Sequence, residues 1–505
     1  MEPRKLVIVV CCSDRWIQVP VGTFGISSFL GRHGIQHHIL HTSMQTKEES
    51  ELLLEKWINE GYSFALVLQW KENTPTFYTF SHFLKSRIPD PMRVICGGIT
   101  ASFFCQEILS DPMLPDIVIR GDAEHPLLDY CQNKPVPDIE NTAYSENGVQ
   151  TIKPITHRID TDFFSALSFT DLSRLHNADK FLAAANRRYL HINITRGCAA
   201  LCDYCGGSQF ANIQHSDRST TLKRSAESVV ADIIQLCQRT KSTSEFINMH
   251  LDDFWENYHP VLAKLVDPEI KRRINLSICE RGALDIDNIK NNIDIFNDFN
   301  KVTFEISPES DDEEQRRAMM AGTNKHLYTQ DEIIRISNYL TSVDFNVLIF
   351  YTLYNFRDTQ ETVFKRCEFY EKLKEALASP RIGIICSGFS LDCGSADYCS
   401  LPDPPALSDY RSPDSRFTNL LGNISYVRKP ADLDYLIAAK FFLVMVDLKG
   451  QPARRSFIAR PHYTLQDILG VVKKHKLATL INHDFVLSGK YVPFISEKLL
   501  EQKFR

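Results

Sequence analysis

Three closely spaced cysteines constrain this chain more than any other feature. The stretch ITRGCAALCDYCGGSQ, residues 194–209, contains Cys198, Cys202 and Cys205 at the spacing C-x3-C-x2-C. Disulfide, zinc and iron–sulfur chemistry all use neighbouring cysteines. An alternating strand pattern, YLHINITRG, precedes the loop, so a sheet delivers it. The rest of the chain has to decide between the three chemistries.

The other cysteines argue against a disulfide framework. Most of the 14 cysteines stand singly in apolar surroundings, as Cys96 and Cys279 do. This usage is typical of a reducing cytosol, so we expect a cytoplasmic protein whose clustered cysteines bind metal or act in catalysis. A structural zinc site needs a fourth ligand, and the nearest candidates, His215 and Cys237, belong to no paired motif. Zinc is therefore the weaker alternative.

Composition excludes several partner classes. The chain has 505 residues, 43% of them hydrophobic, enough for two to four domains. Lys and Arg total 57 against 63 Asp and Glu, so nucleic acid and polybasic membrane contacts are not expected. No run of 18 apolar residues occurs, so no membrane span is expected. The apolar run near the N-terminus, LVIVVCC, indicates a buried first strand and is too short for a signal peptide.

The first 140 residues show a doubly wound α/β pattern. Five strand-like segments, KLVIVVCC, IQHHILH, FALVLQW, RVICGG and DIVIRG, alternate with helical segments. This alternation predicts right-handed crossovers and a parallel sheet. Ligands of such sheets bind beyond the carboxyl ends of the strands. We therefore expect a Rossmann-like domain over residues 1–140 with a ligand at that edge.

Two segments of this region resemble the cobalamin-binding domain that precedes many radical S-adenosylmethionine (radical SAM) enzymes. They are VICGGITASFF and DIVIRGDAEHPLLDY, and the resemblance covers about residues 5–130. In that family a G-G-x-x-A-S turn and a G-[DE]-x-E loop line the corrin. The resemblance implies that cobalamin contacts Gly97, Gly98, Thr100, Ser102, Gly121 and Glu124. A tight strand-to-helix turn is the alternative explanation of the glycine pair.

One family motif is missing. The chain contains no D-x-H-x-x-G, so no histidine is placed to bind cobalt from below through that motif. Gln69 and Trp70 end the predicted third strand and are our candidates to lie beneath the corrin. Trp70 as a plain rim aromatic is the alternative.

The cysteine loop itself favours an iron–sulfur cluster. Three thiolates leave one iron of a 4Fe–4S cluster open to another ligand, and C-x3-C-x2-C with Tyr204 before the last cysteine resembles the radical SAM signature. The resemblance implies that S-adenosylmethionine binds the open iron and that Tyr204 lies against its adenine. It also implies a 5′-deoxyadenosyl radical, formed with an electron from an external reductant such as flavodoxin or ferredoxin.

Residues 188–395 fit the partial (βα)6 TIM-type barrel of that family. After the strand that delivers the loop, strand patterns recur at EFINMHLDDF, RINLSICE, KVTFEISPES, FNVLIFYTLY and RIGIICSGFSL. By position in the family, Asp252 or Asp253 accepts a hydrogen bond from the methionyl amino group, or caps the next helix. Glu305 and Ser307 would contact the ribose or the methionyl carboxylate.

Residues 141–187 have no strong period and are expected to be a linker, and residues 396–505 are expected to cap the substrate site. The leading hypothesis is a cobalamin-dependent radical SAM methyltransferase acting on a small metabolite, in natural-product biosynthesis. One alternative keeps both cofactors but catalyses ring contraction, cyclisation or oxidation. The other is a non-catalytic iron–sulfur electron-transfer or sensor protein.

Overall fold

A computed structural model describes residues 2–12, 19–90, 93–187, 189–241, 244–308, 313–319, 328–354, 359–388 and 391–411. These residues form two sheets that are mainly parallel, with helices between the strands, and one short antiparallel ribbon. The mixed α/β fold expected from the sequence is confirmed.

The first sheet has seven strands in the order β2-β1-β3-β4-β5-β6-β7. Their bounds are β1 Leu6–Val10, β2 His37–His41, β3 Ser63–Val67, β4 Val94–Gly97, β5 Ile117–Ile119, β6 Thr142–Glu146 and β7 Val149–Ile152. The first five pair in parallel, as the alternating pattern predicts, and β6 and β7 add in antiparallel pairs. Every residue of β1 is buried, because helices cover both faces of the sheet.

The strand order marks the ligand-binding edge of this sheet. The chain passes from β1 to β2 on one side and then to β3 on the other, so the order reverses between β1 and β3. Open α/β sheets bind ligands in the crevice at such a switch point. Gln69 and Trp70 lie two and three residues beyond the end of β3 and therefore lie at this crevice.

The segment expected as a linker contributes to both sheets' surroundings. It contains the hairpin β6–β7, which extends the first sheet, and two helices, Thr161–Ala166 and Ala178–Asn186. Phe164, Phe169 and Phe181 from this segment are buried in the main apolar core. Its weak sequence period reflects short elements held by tertiary contacts, since β6, β7 and the helix Thr161–Ala166 each have six residues or fewer.

The second sheet has six parallel strands in the order β15-β14-β13-β12-β11-β8. Their bounds are β8 Leu190–His191, β11 Ile247–Asp253, β12 Ile274–Glu280, β13 Lys301–Ile306, β14 Asn346–Tyr354 and β15 Ile382–Gly388. The six predicted strands are all present, and the sheet stays open, as a partial barrel does. The first strand, β8, is shorter than expected, because the chain leaves the sheet after His191. The next strand, β9 (Thr195–Arg196), pairs instead with β10 (Leu222–Lys223).

Seventeen helices of the described residues connect and cover these strands. They are α1 Val21–Arg32, α2 Lys47–Asn59, α3 Thr74–Arg87, α4 Ile99–Phe103, α5 Cys105–Ser110, α6 Glu124–Cys131, α7 Thr161–Ala166, α8 Ala178–Asn186, α9 Gln209–Ser216, α10 Ala226–Arg239, α11 Trp255–Lys264, α12 Pro268–Lys271, α13 Ile286–Asn291, α14 Glu313–Met319, α15 Gln330–Ser342, α16 Gln360–Ala376 and α17 Ala396–Cys399. Local sequence starts several of them: Thr46 with Glu49, and Thr329 with Glu332, form capping boxes at α2 and α15.

Candidate active site between the two sheets

The three cysteines lie in a compact loop between β9 and α9. Its turns are closed by backbone hydrogen bonds, among them Gln209 N to Ala200 O at 2.8 Å and Cys205 N to Cys202 O at 3.2 Å. Two backbone N–H groups point at sulfur: Ala200 N lies 3.4 Å from Cys198 Sγ and Gly207 N lies 3.3 Å from Cys205 Sγ. Such N–H donors stabilise thiolates that bind iron. The loop therefore fits a cluster held by three cysteines.

A single metal ion is the other possible occupant of a cysteine-rich loop. Within the described residues, no three His, Cys, Asp or Glu side chains converge on one ion position. The thiolates of a 4Fe–4S cluster bind different irons and need not converge in this way.

Asp252 lies at the carboxyl end of β11, on the same side as the cysteine loop. Its carboxylate accepts a hydrogen bond from Arg281 Nε at 3.1 Å and is about half exposed. Burial would lower the pKa of Arg281, but the carboxylates of Asp252 and Asp253 and the nearby Cys198 raise it, so the guanidinium stays charged. These contacts bring Asp252 and the cysteine loop into one electrostatic environment.

Asp253 has a different environment from its neighbour. It is 1% exposed and accepts hydrogen bonds from Thr195 Oγ1 at 2.5 Å, Asn257 Nδ2 at 2.8 Å and Phe254 N at 2.8 Å. Its oxygens thus tie β11 to β9 and to the start of α11. Of the two candidates, Asp252 is the one whose carboxylate reaches solvent.

The interior of the second sheet is polar below this level. Glu305 is buried, accepts a short hydrogen bond from Ser277, and has His250 Nδ1 3.4 Å from its Oε1. The ring of His191 packs edge-on against His250 at 4.7 Å. Ser307 follows β13 and is half-buried. Glu305 is level with Cys279 and Asp252 in the strand register, and its side chain is held inside the sheet by Ser277 of β12 and His250 of β11.

The glycine pair at the edge of the first sheet is explained by backbone contact. Gly98 has φ +111°, and a Cβ there would lie 2.4 Å from Leu68 O. Thr100 Oγ1 donates to Gln69 O at 3.0 Å, which fastens the same turn to the end of β3. The turn thus requires glycine even without a ligand. It also fixes Gln69 and the half-exposed Trp70 at the crevice.

The G-D-x-E loop joins the first sheet to the cysteine loop. Glu124 is 1% exposed and accepts from Arg196 Nη2 at 2.7 Å, while Asp122 accepts from Arg196 Nη1 at 2.9 Å. Asp122 also binds Arg218, beyond α9, and the backbone N–H of Ile159 at 3.0 Å. We call these four side chains, Asp122, Glu124, Arg196 and Arg218, the acidic-loop network.

Charge pairing controls the ionisation of this network. Burial alone would raise the pKa of Asp122, but the guanidinium groups of Arg196 and Arg218 hold it below its usual range.

Sequence reasoning assigned Glu124 and Gly121 to the corrin and missed both arginines. The available signal was the position of Arg196, two residues before Cys198. Gly121, at φ +64°, turns the loop against Ile155 and Ser216, and Ser102 is buried in α4.

Tyr204 is half-buried and packs against the apolar cluster of the first sheet. That cluster includes Leu391, Cys393 and Tyr398, which follow β15. Asp397 N donates to Asp203 O at 2.8 Å, and Leu407 N donates to Glu107 Oε2 at 2.7 Å. Residues 391–411 therefore join the cysteine loop to the first sheet. The expected cap continues in residues 412–505, which lie outside the described residues.

The two sheets, with the cysteine loop between them, are similar in fold to solved structures of cobalamin-dependent radical SAM enzymes, so the resemblance drawn from the sequence is confirmed at the level of the fold. One such structure is the radical S-adenosylmethionine methyltransferase TsrM from Kitasatospora setae, solved with tryptophan substrate and a SAM analogue. It is 12% identical, the match covers 78% of this chain and 74% of TsrM, and the TM-score is 0.61.

A second is OxsB, a cobalamin-dependent S-adenosylmethionine radical enzyme solved with aqua-cobalamin and S-adenosylmethionine. It is 12% identical, the match covers 95% of this chain and 61% of OxsB, and the TM-score is 0.55. The sequence matches no protein-family model and no curated protein. Among the helices that the structure describes, none combines the length and apolarity needed to cross a bilayer.

Proposed function

We propose that this protein is a cobalamin-dependent radical SAM methyltransferase that acts on a small molecule. The observation that carries the proposal is the placement of the three-cysteine loop beside the first sheet: Arg196, two residues before Cys198, pairs with Asp122 and Glu124, which follow the parallel strand β5. When bound, the cluster with S-adenosylmethionine supplies a hydrogen-abstracting radical, and cobalamin supplies a methyl group.

Each cofactor has residues that fit it. Cys198, Cys202 and Cys205 would hold the cluster, with the N–H groups of Ala200 and Gly207 stabilising two of the sulfurs. Asp252 would accept a hydrogen bond from the methionyl amino group, because its carboxylate is exposed near the loop. The carboxylate of Asp253 is buried and already accepts hydrogen bonds from its protein neighbours.

The corrin would lie on the carboxyl edge of the first sheet. Gln69 and Trp70 would contact its lower face, since they follow β3 at the switch point. Gly97, Gly98, Thr100 and Ser102 would shape this edge through the turn they form. Gly121 and Glu124 would act through the acidic-loop network, because Glu124 is paired with Arg196.

The polar interior of the second sheet supports an enzyme over a simple electron carrier. An electron carrier needs only the cluster and its loop. This chain also has a buried polar group on strands β11 to β13 of the second sheet, formed by His250, Ser277 and Glu305. Buried polar groups of this kind are costly to retain without a role, since each needs a hydrogen-bond partner. Glu305 would reach the ribose or the methionyl carboxylate together with Ser307.

The test is a product analysis. Anaerobic protein is incubated with reductant, candidate small molecules and S-adenosylmethionine carrying a deuterated methyl group. The proposal expects 5′-deoxyadenosine, S-adenosylhomocysteine and a labelled product, because both hydrogen abstraction and remethylation of cobalt consume S-adenosylmethionine. Formation of 5′-deoxyadenosine with an unlabelled product would instead assign a ring contraction, cyclisation or oxidation. The cytoplasmic location, the external reductant and a role in natural-product biosynthesis stay predictions.

A further inference from the structure

A buried lysine connects the ligand-binding edge of the first sheet to the end of the second. Lys71 follows Trp70 and is 3% exposed. Its Nζ donates to Leu391 O at 2.6 Å and to Asp392 Oδ1 at 3.3 Å, beyond β15. Glu72 Oε1 lies 3.9 Å from the same ammonium group. A buried ammonium is costly unless it is paired, so these contacts hold the two regions together.

Asp392 passes this connection on to the cysteine loop. Its Oδ2 accepts a hydrogen bond from Gly206 N at 3.1 Å, and its own N–H donates to Tyr204 O at 3.1 Å. Gly206 follows Cys205 directly, and a Cβ on Gly206 would lie 2.8 Å from Asp392 Cβ. Only glycine allows this approach without a shift of the loop. Asp392 thus contacts both sides of Cys205: its carboxylate binds Gly206, and its backbone N–H binds Tyr204.

The charges on this path bear directly on a cluster held by Cys205. The reduction potential of an iron–sulfur cluster depends on nearby charge, hydrogen bonding and solvent exposure. Asp392 places a negative charge one residue from Cys205, and Lys71 compensates it from the first sheet. Burial would lower the pKa of Lys71, but Asp392 and Glu72 raise it above its usual value, so the compensating charge is present at neutral pH.

We propose that Lys71 and Asp392 are positioning residues through which the first sheet sets the geometry and the reduction potential of the cluster at Cys205. This inference rests on the proposed function only in requiring the cluster. It assigns a role to residues on the ligand-binding edge other than contact with cobalamin. Lys71 lies beside Gln69 and Trp70, so occupancy of that edge is coupled to the cluster through one side chain.

The test is an EPR-monitored redox titration of anaerobically reconstituted full-length variants. Lys71→Met removes the compensating positive charge, so the potential should become more negative. Asp392→Asn removes the negative charge but keeps an acceptor for Gly206, so the potential should become more positive. Lys71→Arg should restore the wild-type potential, and the Lys71→Met/Asp392→Asn double variant should fall between the two single variants.

The matched control is Lys85→Met. Lys85 forms a partly buried ion pair with Asp116 in the first sheet's domain, away from the cysteine loop. It should leave the potential unchanged. Shifts of opposite sign in the two single variants support the inference, because general loosening of the loop would shift both in the same direction. Equal shifts, or shifts no larger than in the control, overturn it.

Iron content covers the case in which Lys71→Met binds its cluster poorly. If Lys71→Arg keeps the wild-type iron content while Lys71→Met loses iron, the positioning role is supported. If Lys71→Met and Lys71→Arg lose iron equally, it is overturned. A wild-type protein without a reducible four-iron cluster would refute the proposed function itself. If the wild-type protein has the cluster but neither Lys71→Met nor Asp392→Asn changes its reduction potential, only the present inference is refuted.

Discussion

Removing the charge of Asp122 should loosen the first sheet from the cysteine loop. Asp122 is 5% exposed and holds two guanidinium groups, those of Arg196 and Arg218, together with the N–H of Ile159. Asp122→Asn keeps the size and an acceptor for Ile159 but loses the charge that pairs both arginines. The variant therefore tests the ion pairs separately from packing.

The expected cost follows from these contacts. Breaking a buried ion pair costs about 3–5 kcal/mol. Since Arg196 keeps Glu124, we expect the lower end, about 3 kcal/mol, for Asp122→Asn and about 5 kcal/mol for Asp122→Ala. Since the m-value of a chain this long is at least about 2 kcal/mol/M, the urea midpoint should fall by up to about 1.5 M for the asparagine variant. Circular dichroism of the metal-free protein measures it.

The control is the exposed pair of Arg158 and Asp217, close to Arg218 in sequence. Both side chains are about half exposed, so Arg158→Met should cost less than about 1 kcal/mol. An Asp122→Asn midpoint equal to that of Arg158→Met would refute the claim that the acidic-loop network holds the two regions together.

The same network predicts a pH dependence. The folded-state pKa of Asp122 lies below its unfolded value, so its contribution is present above the unfolded pKa and is lost as the pH falls through the folded one. The stability difference between wild type and Asp122→Asn should therefore be full at pH 7 and shrink below about pH 4. A difference that stays constant to pH 2 would contradict the charge assignment.

Three further changes test other parts of the structure by unfolding of the metal-free protein. Gly98→Ala should lower the free energy of unfolding by several kcal/mol, because its Cβ would lie 2.4 Å from a carbonyl oxygen. The control, Gly148→Ala, has φ +80° but open space around it and should cost only about 1–2 kcal/mol. Equal effects of the two substitutions would contradict the contact at Gly98. Burial lowers the pKa of His215 to about 4. The free energy of unfolding of the wild type should therefore fall by about 3 kcal/mol between pH 6.5 and pH 4, and that of His215→Gln should not show this fall. Parallel curves of stability against pH for the two proteins would contradict this. Asp253→Ala should lower the free energy of unfolding by about 3 kcal/mol, because it leaves buried donors without an acceptor, and Asp252→Ala by less than about 1 kcal/mol. The reverse order would contradict the environments assigned to the two carboxylates.

The sequence predicted the fold because its strands are strongly patterned. Continuous apolar runs mark buried parallel strands, and both sheets contain the strands expected from them. The hairpin at residues 142–152 was not predicted, because β7 is exposed along its whole length and has no apolar face to signal it. The shortness of β8 follows from pairing of Thr195–Arg196 with Leu222–Lys223, a partner too distant in the sequence for any local pattern to show.

The site was predictable only where one loop carries it. Cys198, Cys202 and Cys205 stand in a single motif, whereas Lys71 and Asp392 meet across 321 residues of sequence. Glu124 was assigned to the corrin from its motif, and its partner Arg196 became visible only when the two sheets were placed together. Long-range ion pairs of this kind depend on tertiary structure and leave no local period.

The most direct test of the account is the cofactor content of one preparation. Protein reconstituted anaerobically with iron, sulfide and hydroxocobalamin, then desalted, should retain about four irons and one cobalamin per chain. Replacing Cys198, Cys202 and Cys205 with alanine should remove the iron and leave the cobalamin, because the cysteines lie in the loop after β9 whereas the residues proposed for cobalamin lie at the edge of the first sheet. Stoichiometric zinc without iron–sulfur absorbance, or iron without any retained cobalamin, would contradict the account.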